Sequence, residues 1–166
     1  MKLQYLFFIF FLFSIAPAAW AQTAQTGQPP AEEQNETMID TLKRMQIRRE
    51  EDEHKKLIGK GTQIKDEAEA LRKEAAGSSL PLAAEKKLKS IEKFARQIRS
   101  ESGGGQDVPL EAPPADLDAA LKQLGETSER LNTRLAKTSR RVVSVSVVED
   151  ATEIIQLIKL LRSYLN

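Results

Sequence analysis

The residues that could do chemistry are few, because the chain holds one histidine and no cysteine. Glu50 lies four residues before His54, a spacing that places both side chains on one face of a helix, where they could contact a divalent metal. Two ligands make a weak site, and the acidic residues 51–53 are typical of a solvated charged run. We therefore predict no metal site, no catalytic residue and no cofactor.

Residues 58–62, Ile-Gly-Lys-Gly-Thr, contain the residue types of a phosphate-binding loop. That loop requires the pattern G-x-x-x-x-G-K-[ST] between a strand and a helix, and the preceding sequence does not indicate a strand. A helix weakened by its glycines is the expected structure, since each costs about 1 kcal/mol relative to alanine. Gly61 would also let a neighbouring helix approach closely.

The first 21 residues have the organisation of a secretory signal peptide, with basic Lys2, an apolar run through Ile15 and an A-x-A site ending at Ala21. The run is shorter than the roughly 20 residues that cross a bilayer. We predict export to the periplasm or beyond, with cleavage after Ala21. The alternative is an uncleaved N-terminal anchor, the one case in which a membrane would be a partner.

Charge and aromatic content argue against nucleic acid as a partner. The chain has 25 basic and 24 acidic residues, and Lys2 is the only charged residue of the leader, so the exported part would be electrically balanced. Phe94 and Tyr164 are the only aromatic side chains after residue 21, and two are too few for a surface on which bases stack. No small-molecule substrate is indicated either.

The pattern after the leader predicts an all-α fold of two antiparallel helical hairpins. Residues 22–36 are rich in Gln, Pro and Glu and are expected to be disordered. Residues 37–101 form the first hairpin, residues 102–115 a Gly/Pro linker, and residues 116–166 the second hairpin.

Apolar stripes at steps of three and four residues define the helices of the first hairpin. Thr37 and Asp40 resemble a capping pair, and residues 46–56 are polar on every face. One stripe opens the first helix at Met38, Leu42 and Met45, a second continues it through Leu57, Gly61, Ile64, Ala68, Leu71 and Ala75, and a third marks the next helix at Ala84, Leu88, Ile91, Ala95 and Ile98.

The second hairpin has the same spacing, interrupted by the Val/Ser-rich residues 142–148. Its stripes are Leu117, Leu121, Leu124, Leu131 and Leu135, then Val147, Ala151, Ile154, Ile158, Leu161 and Leu165. Ser146 and Glu149 match a capping box for the fourth helix. The composition of residues 142–148 fits either a strand or an extended connection. We favour the connection because a lone strand would leave its backbone N–H and C=O groups without hydrogen-bond partners.

The fourth helix is apolar beyond its stripe, which marks a candidate interaction face of Ile155, Leu157, Leu160 and Tyr164. One neighbouring helix cannot cover so wide an arc. Either the first hairpin folds over it, giving a four-helix bundle, or another molecule does, as a homo-oligomer or a protein partner.

Residues 54–74 and 78–101 resemble a group of small secreted helical proteins of acidobacteria. The resemblance rests on the basic lead His-Lys-Lys-Leu at 54–57 and on the closing helix Ala-Glu-Lys-Lys-Leu-Lys-Ser-Ile-Glu-Lys at 84–93, followed by Ala95. It implies a helical hairpin and an exported protein, but no activity.

Two functional hypotheses follow from these patterns. The first is an exported, non-enzymatic interaction or scaffold protein of the cell envelope. The second is a periplasmic chaperone-like or stress-sensing module that uses the apolar face of the last helix. An enzyme is disfavoured because residues for acid/base or nucleophilic chemistry do not converge in the sequence.

Overall fold

The computed structural model describes residues 31–75, 79–139 and 144–165. The predicted signal peptide, its cleavage site and most of the segment predicted to be disordered lie outside these residues. The chain divides into two units, residues 1–38 and residues 39–166. Of the first unit, only residues 31–38 are described, and they are helical.

The described chain forms four α-helices, which confirms the predicted all-α fold. They are α1 (Ala31–Glu74), α2 (Glu85–Glu101), α3 (Leu117–Lys137) and α4 (Val145–Leu161). Short 3-10 turns precede α2 at Leu82–Ala84 and follow α4 at Arg162–Tyr164. No helix among the described residues is long and apolar enough to cross a membrane.

Polar contacts show that α1 and α2 run antiparallel, as the hairpin prediction requires. Passing down α1, Lys60 contacts Glu101, Glu67 accepts a hydrogen bond from Ser90, and Glu74 contacts Lys87. The residue numbers of the α2 partners therefore fall as those of the α1 residues rise.

Contacts between α3 and α4 follow the same order. Gln123 donates to Glu153 at 2.8 Å, Arg130 lies 2.7 Å from Asp150, and Arg134 donates to the carbonyl of Ser146 at 2.9 Å. The second pair of helices is therefore also an antiparallel hairpin.

The two hairpins pack together within residues 39–166. Helix α4 packs against both α2 and α3, and α1 meets α3 where Lys65 lies 2.5 Å from Glu129. The amide of Leu80 donates to the carbonyl of Tyr164, which ties the turn before α2 to the end of the chain. This arrangement is the four-helix bundle that the sequence left as one alternative.

The bundle core consists of the predicted stripes. Every residue of the α2 and α3 stripes is buried, as are all residues of the α4 stripe except Leu165, which is partly buried. The α1 stripe is buried at Ile64, Ala68 and Leu71, with Leu57 and Ala75 at its edge. Burial of such side chains contributes about 1.5–3 kcal/mol each for the larger aliphatic residues.

Two helix boundaries were predicted wrongly. Helix α1 begins at Ala31 rather than near Thr37, so the capping pair does not mark its start. Helix α4 begins at Val145 with Ser144 in the N-cap position, so residues 145–148 are neither a strand nor an extended connection. Helix formation puts Val147 in the core, which an extended chain would not achieve in the same register. Residues 140–143 lie outside the described part.

Candidate functional site

The predicted interaction face on α4 lies largely inside the bundle. Ile155 and Leu157 are fully buried, and Leu160 and Tyr164 are partly buried against the core. Of the two alternatives for this face, packing within the chain therefore holds for Ile155 and Leu157. The physical reason is that α4 contacts two helices of the chain, which cover an arc too wide for one.

The polar residues singled out for metal binding line an open groove instead. The groove has a volume of about 470 Å³ and lies between α1 and the end of α2. Within the described ranges, no group of three or more His, Cys, Asp or Glu side chains is arranged to hold a metal ion. The groove is lined by Glu50, Glu53, His54, Lys56, Leu57, Lys60 and Glu101.

Residues 58–62 are part of the continuous helix α1 and form no phosphate loop. The Thr62 hydroxyl donates to the carbonyl of Ile58 at 3.2 Å and lies 3.3 Å from Oδ1 of Asn132 on α3. A Cβ atom placed on Gly61 would lie 2.7 Å from Cδ1 of Leu135. The prediction that Gly61 permits a close helix approach is confirmed.

A buried ion-pair cluster joins α3 to α4. The carboxylate of Asp150, which is 1% exposed, lies 2.7 Å from Nε of Arg130 and 2.8 Å from Nη1 of Arg134. Burial raises the pKa of Asp150, and the two guanidinium groups act in the opposite direction. Because every member has a partner across the two helices, the cluster fixes their alignment.

The exposed apolar side chains of the bundle unit concentrate near the start of α1. Four of them occur within nine consecutive positions, and their exposed fractions are 48% at Ile39, 59% at Leu42, 50% at Met45 and 38% at Ile47. Scattered exposed apolar residues are ordinary on protein surfaces, whereas a cluster marks an interaction site. We call residues 39–49 the exposed segment of α1.

Charges are ordered along the exposed segment. Asp40 lies at its beginning, Lys43, Arg44, Arg48 and Arg49 follow, and residues 50–53 are all acidic. Asp40 and Arg44 form an ion pair of 2.9 Å along the helix, with both side chains mostly in solvent. Such exposed pairs contribute little to stability.

Sequence reasoning found the members of this segment but not its role. The sequence pattern predicts an apolar helical stripe at Met38, Leu42 and Met45, and in the described part of the chain Leu42 and Met45 are 59% and 50% exposed. The informative signal is the next stretch, residues 46–56, in which Ile47 is the only apolar residue, so this stretch cannot continue a core.

Comparison of the chain with protein-family models, curated proteins and solved structures finds no match.

Proposed function

We propose that this protein is an exported, non-enzymatic interaction protein of the cell envelope, and that it binds protein partners through the exposed segment of α1. The observation that carries the proposal is the exposed face of Ile39, Leu42 and Met45 on a helix whose later turns are anchored in a bundle. A rigid, solvent-facing apolar helix surface is the form in which proteins present a helix to a groove or to a second helix.

The division of α1 supports this assignment. From Ile64 onward the apolar side chains of the stripe are buried against the bundle, whereas those of the exposed segment contribute little to its core. Large aliphatic side chains kept in water bring no folding stability and increase the tendency to aggregate. Their retention on one segment is explained if that segment is covered when the protein is bound.

The chaperone-like alternative required an accessible apolar face on the last helix. Ile155 and Leu157 are buried and Leu160 and Tyr164 are partly buried, so the last helix presents less accessible apolar surface than the exposed segment of α1. Export, which places the interaction in the envelope, rests on the signal-peptide pattern of residues 1–21.

A matched pair of leucine variants tests the proposal. Leu42→Lys alters the exposed segment, and Leu82→Lys is the control, because Leu82 is 68% exposed in the turn before α2. Each protein would be used as bait in an extract of the source envelope. We expect wild type and Leu82→Lys to capture the same protein, identified by mass spectrometry, and Leu42→Lys to lose it. Equal capture by all three would refute a role for the segment.

A further inference from the structure

We propose that the partner of the exposed segment is a second copy of this chain, paired antiparallel with its two-fold axis near Leu42. The inference rests on the surface assigned under the proposed function and adds the identity of the molecule that covers it. The candidate site comprises Ile39, Leu42 and Met45 from each copy.

The spacing of these residues suits self-pairing. Ile39, Leu42 and Met45 follow one another at three-residue steps, so their side chains form one sloping apolar face on the helix. Leu42 lies at the middle of that face and is its most exposed member, at 59%. An antiparallel copy with its axis at Leu42 sets the two Leu42 side chains together and brings Ile39 of each copy near Met45 of the other.

The order of charges favours the antiparallel direction. In the sequence, Glu32, Glu33, Glu36 and Asp40 precede Leu42 with no basic residue among them, and Lys43, Arg44, Arg48 and Arg49 follow it. A parallel copy would place the four basic residues beside the same four of its partner. With the axis at Leu42, an antiparallel copy places Arg44 of each copy beside Asp40 of the other, and Arg48 beside Glu36, within the roughly 10 Å over which charges interact at ordinary ionic strength.

The same charges argue against a lipid surface as the partner. An amphipathic helix that binds anionic membranes carries basic residues on its polar face. Here the basic residues are bounded by Asp40 on one side and by the acidic residues 50–53 on the other. Those acidic groups would be repelled by anionic headgroups, whereas an antiparallel second copy places its Arg44 beside Asp40.

The length of the segment sets the expected strength of the dimer. Eleven residues at about 1.5 Å each span roughly 16 Å, so the contact is shorter than a typical permanent interface. The dimer should therefore dissociate on dilution. It should also weaken as salt screens the exposed charges.

Single cysteines test the pairing directly, because the chain has none of its own. Leu42 and Arg49 lie seven residues apart on one helix face, and either can be changed to cysteine in the full chain, expressed with its leader and purified from the exported fraction. A disulfide requires Cα atoms within about 7 Å. In the antiparallel dimer the two residues 49 are separated by roughly 20 Å along the helices, whereas the two residues 42 meet.

We expect mild oxidation to give a covalent dimer of Leu42→Cys but not of Arg49→Cys. Sedimentation of the wild type should show a concentration-dependent dimer, and Leu42→Lys should abolish it. The Leu82→Lys control should sediment like wild type. A monomer at every concentration, equal cross-linking at both positions, or binding only to anionic phosphatidylserine vesicles would overturn the proposal.

The outcomes also separate this inference from the proposed function. A monomeric wild type whose captured envelope partner is lost in Leu42→Lys would overturn self-pairing and leave the interaction surface standing. If Leu42→Lys still captures the envelope partner and still forms the dimer in sedimentation, both the self-pairing and the proposed function are overturned.

Discussion

Oδ2 of Asp107 lies 2.6 Å from Nζ of Lys159, which joins the Gly/Pro linker to the last turn region of α4. The other carboxylate oxygen of Asp107 lies 2.6 Å from Nη1 of Arg99, at the end of α2. Arg99 also donates to the carbonyl of Gln106 at 3.1 Å. A linker that composition alone describes as flexible is therefore fixed to both hairpins by one carboxylate.

Removing that carboxylate should loosen the linker without unfolding the bundle. We expect Asp107→Asn to be cut faster after the exposed Glu111 by a glutamate-specific protease than wild type, because Lys159 and Arg99 lose their shared partner. Asp118→Asn, an exposed change in the first turn of α3, is the control. Equal cleavage of Asp107→Asn and wild type would show that the contacts do not restrain the linker.

The same residue predicts a pH dependence. Hydrogen bonds from Lys159 and Arg99 lower the pKa of Asp107 to about 2. Because the pKa is lowered in the folded state, the contribution is complete above the ordinary aspartate pKa of about 4 and is lost as the pH falls towards 2. The stability difference between wild type and Asp107→Asn, measured by urea unfolding, should therefore be constant near neutral pH and disappear in acid. A difference that grew in acid would contradict this assignment.

Two glycines of α1 should respond oppositely to the same substitution. Nothing lies within 4 Å of a Cβ at Gly59, so Gly59→Ala should stabilise the protein by about 1 kcal/mol through helix propensity. At Gly61 the added atom meets Leu135 at 2.7 Å and Oδ1 of Asn132 at 3.3 Å, and overpacking of this kind costs about 1–3 kcal/mol. Gly61→Ala should therefore be the less stable variant in urea unfolding. Equal stabilisation of both would mean that α1 and α3 are not in close contact.

The ion-pair cluster between α3 and α4 should show energetic coupling. Arg134 lies 2.8 Å from Asp150 and stabilises the fold through that ion pair. Arg134→Met should therefore lower the free energy of unfolding more in wild type than in an Asp150→Asn background. A double-mutant cycle should give a coupling free energy of about 1–3 kcal/mol. Lys122 and Glu126, 4.0 Å apart on the exposed side of α3, form a control pair for which little coupling is expected. Strict additivity at Arg134 and Asp150 would contradict the described geometry.

Export can be tested at the N-terminus. The A-x-A site predicts that the exported protein begins at Gln22 or its pyroglutamate form. Mass spectrometry of the N-terminal peptide measures this. Recovery of the intact Met1 terminus in the membrane fraction would instead support the anchor.

The fold was largely predictable because its core depends on periodicity alone. Stripes such as Leu88, Ile91 and Ala95 fix which helix face is buried whatever the neighbour. The helix boundaries were less accessible: Val145 and Val147 have β-branched side chains that favour a strand locally, and packing of Val147 in the core overrides that preference.

The location of the proposed interaction surface was not predictable from the sequence. Ile155 and Ile39 are both isoleucines on amphipathic helices, and nothing local distinguishes the one that is covered from the one that is 48% exposed. The difference lies in tertiary structure, since α2 and α3 both lie against α4. Which apolar helix face is covered by a second helix follows only from how the two hairpins pack together.

Paired thermal melts of Ile155→Lys and Leu42→Lys test most directly whether α4 lies in the bundle core while the exposed segment of α1 presents the proposed interaction surface. Ile155→Lys buries an unpaired charge, so we expect a loss of several kcal/mol and a much lower melting temperature by circular dichroism. Leu42→Lys leaves its charge in water, so at a dilution at which the wild type is monomeric its melting temperature should match that of the Leu82→Lys control. A folded Ile155→Lys with an unchanged melting temperature, beside a destabilised Leu42→Lys, would contradict the account.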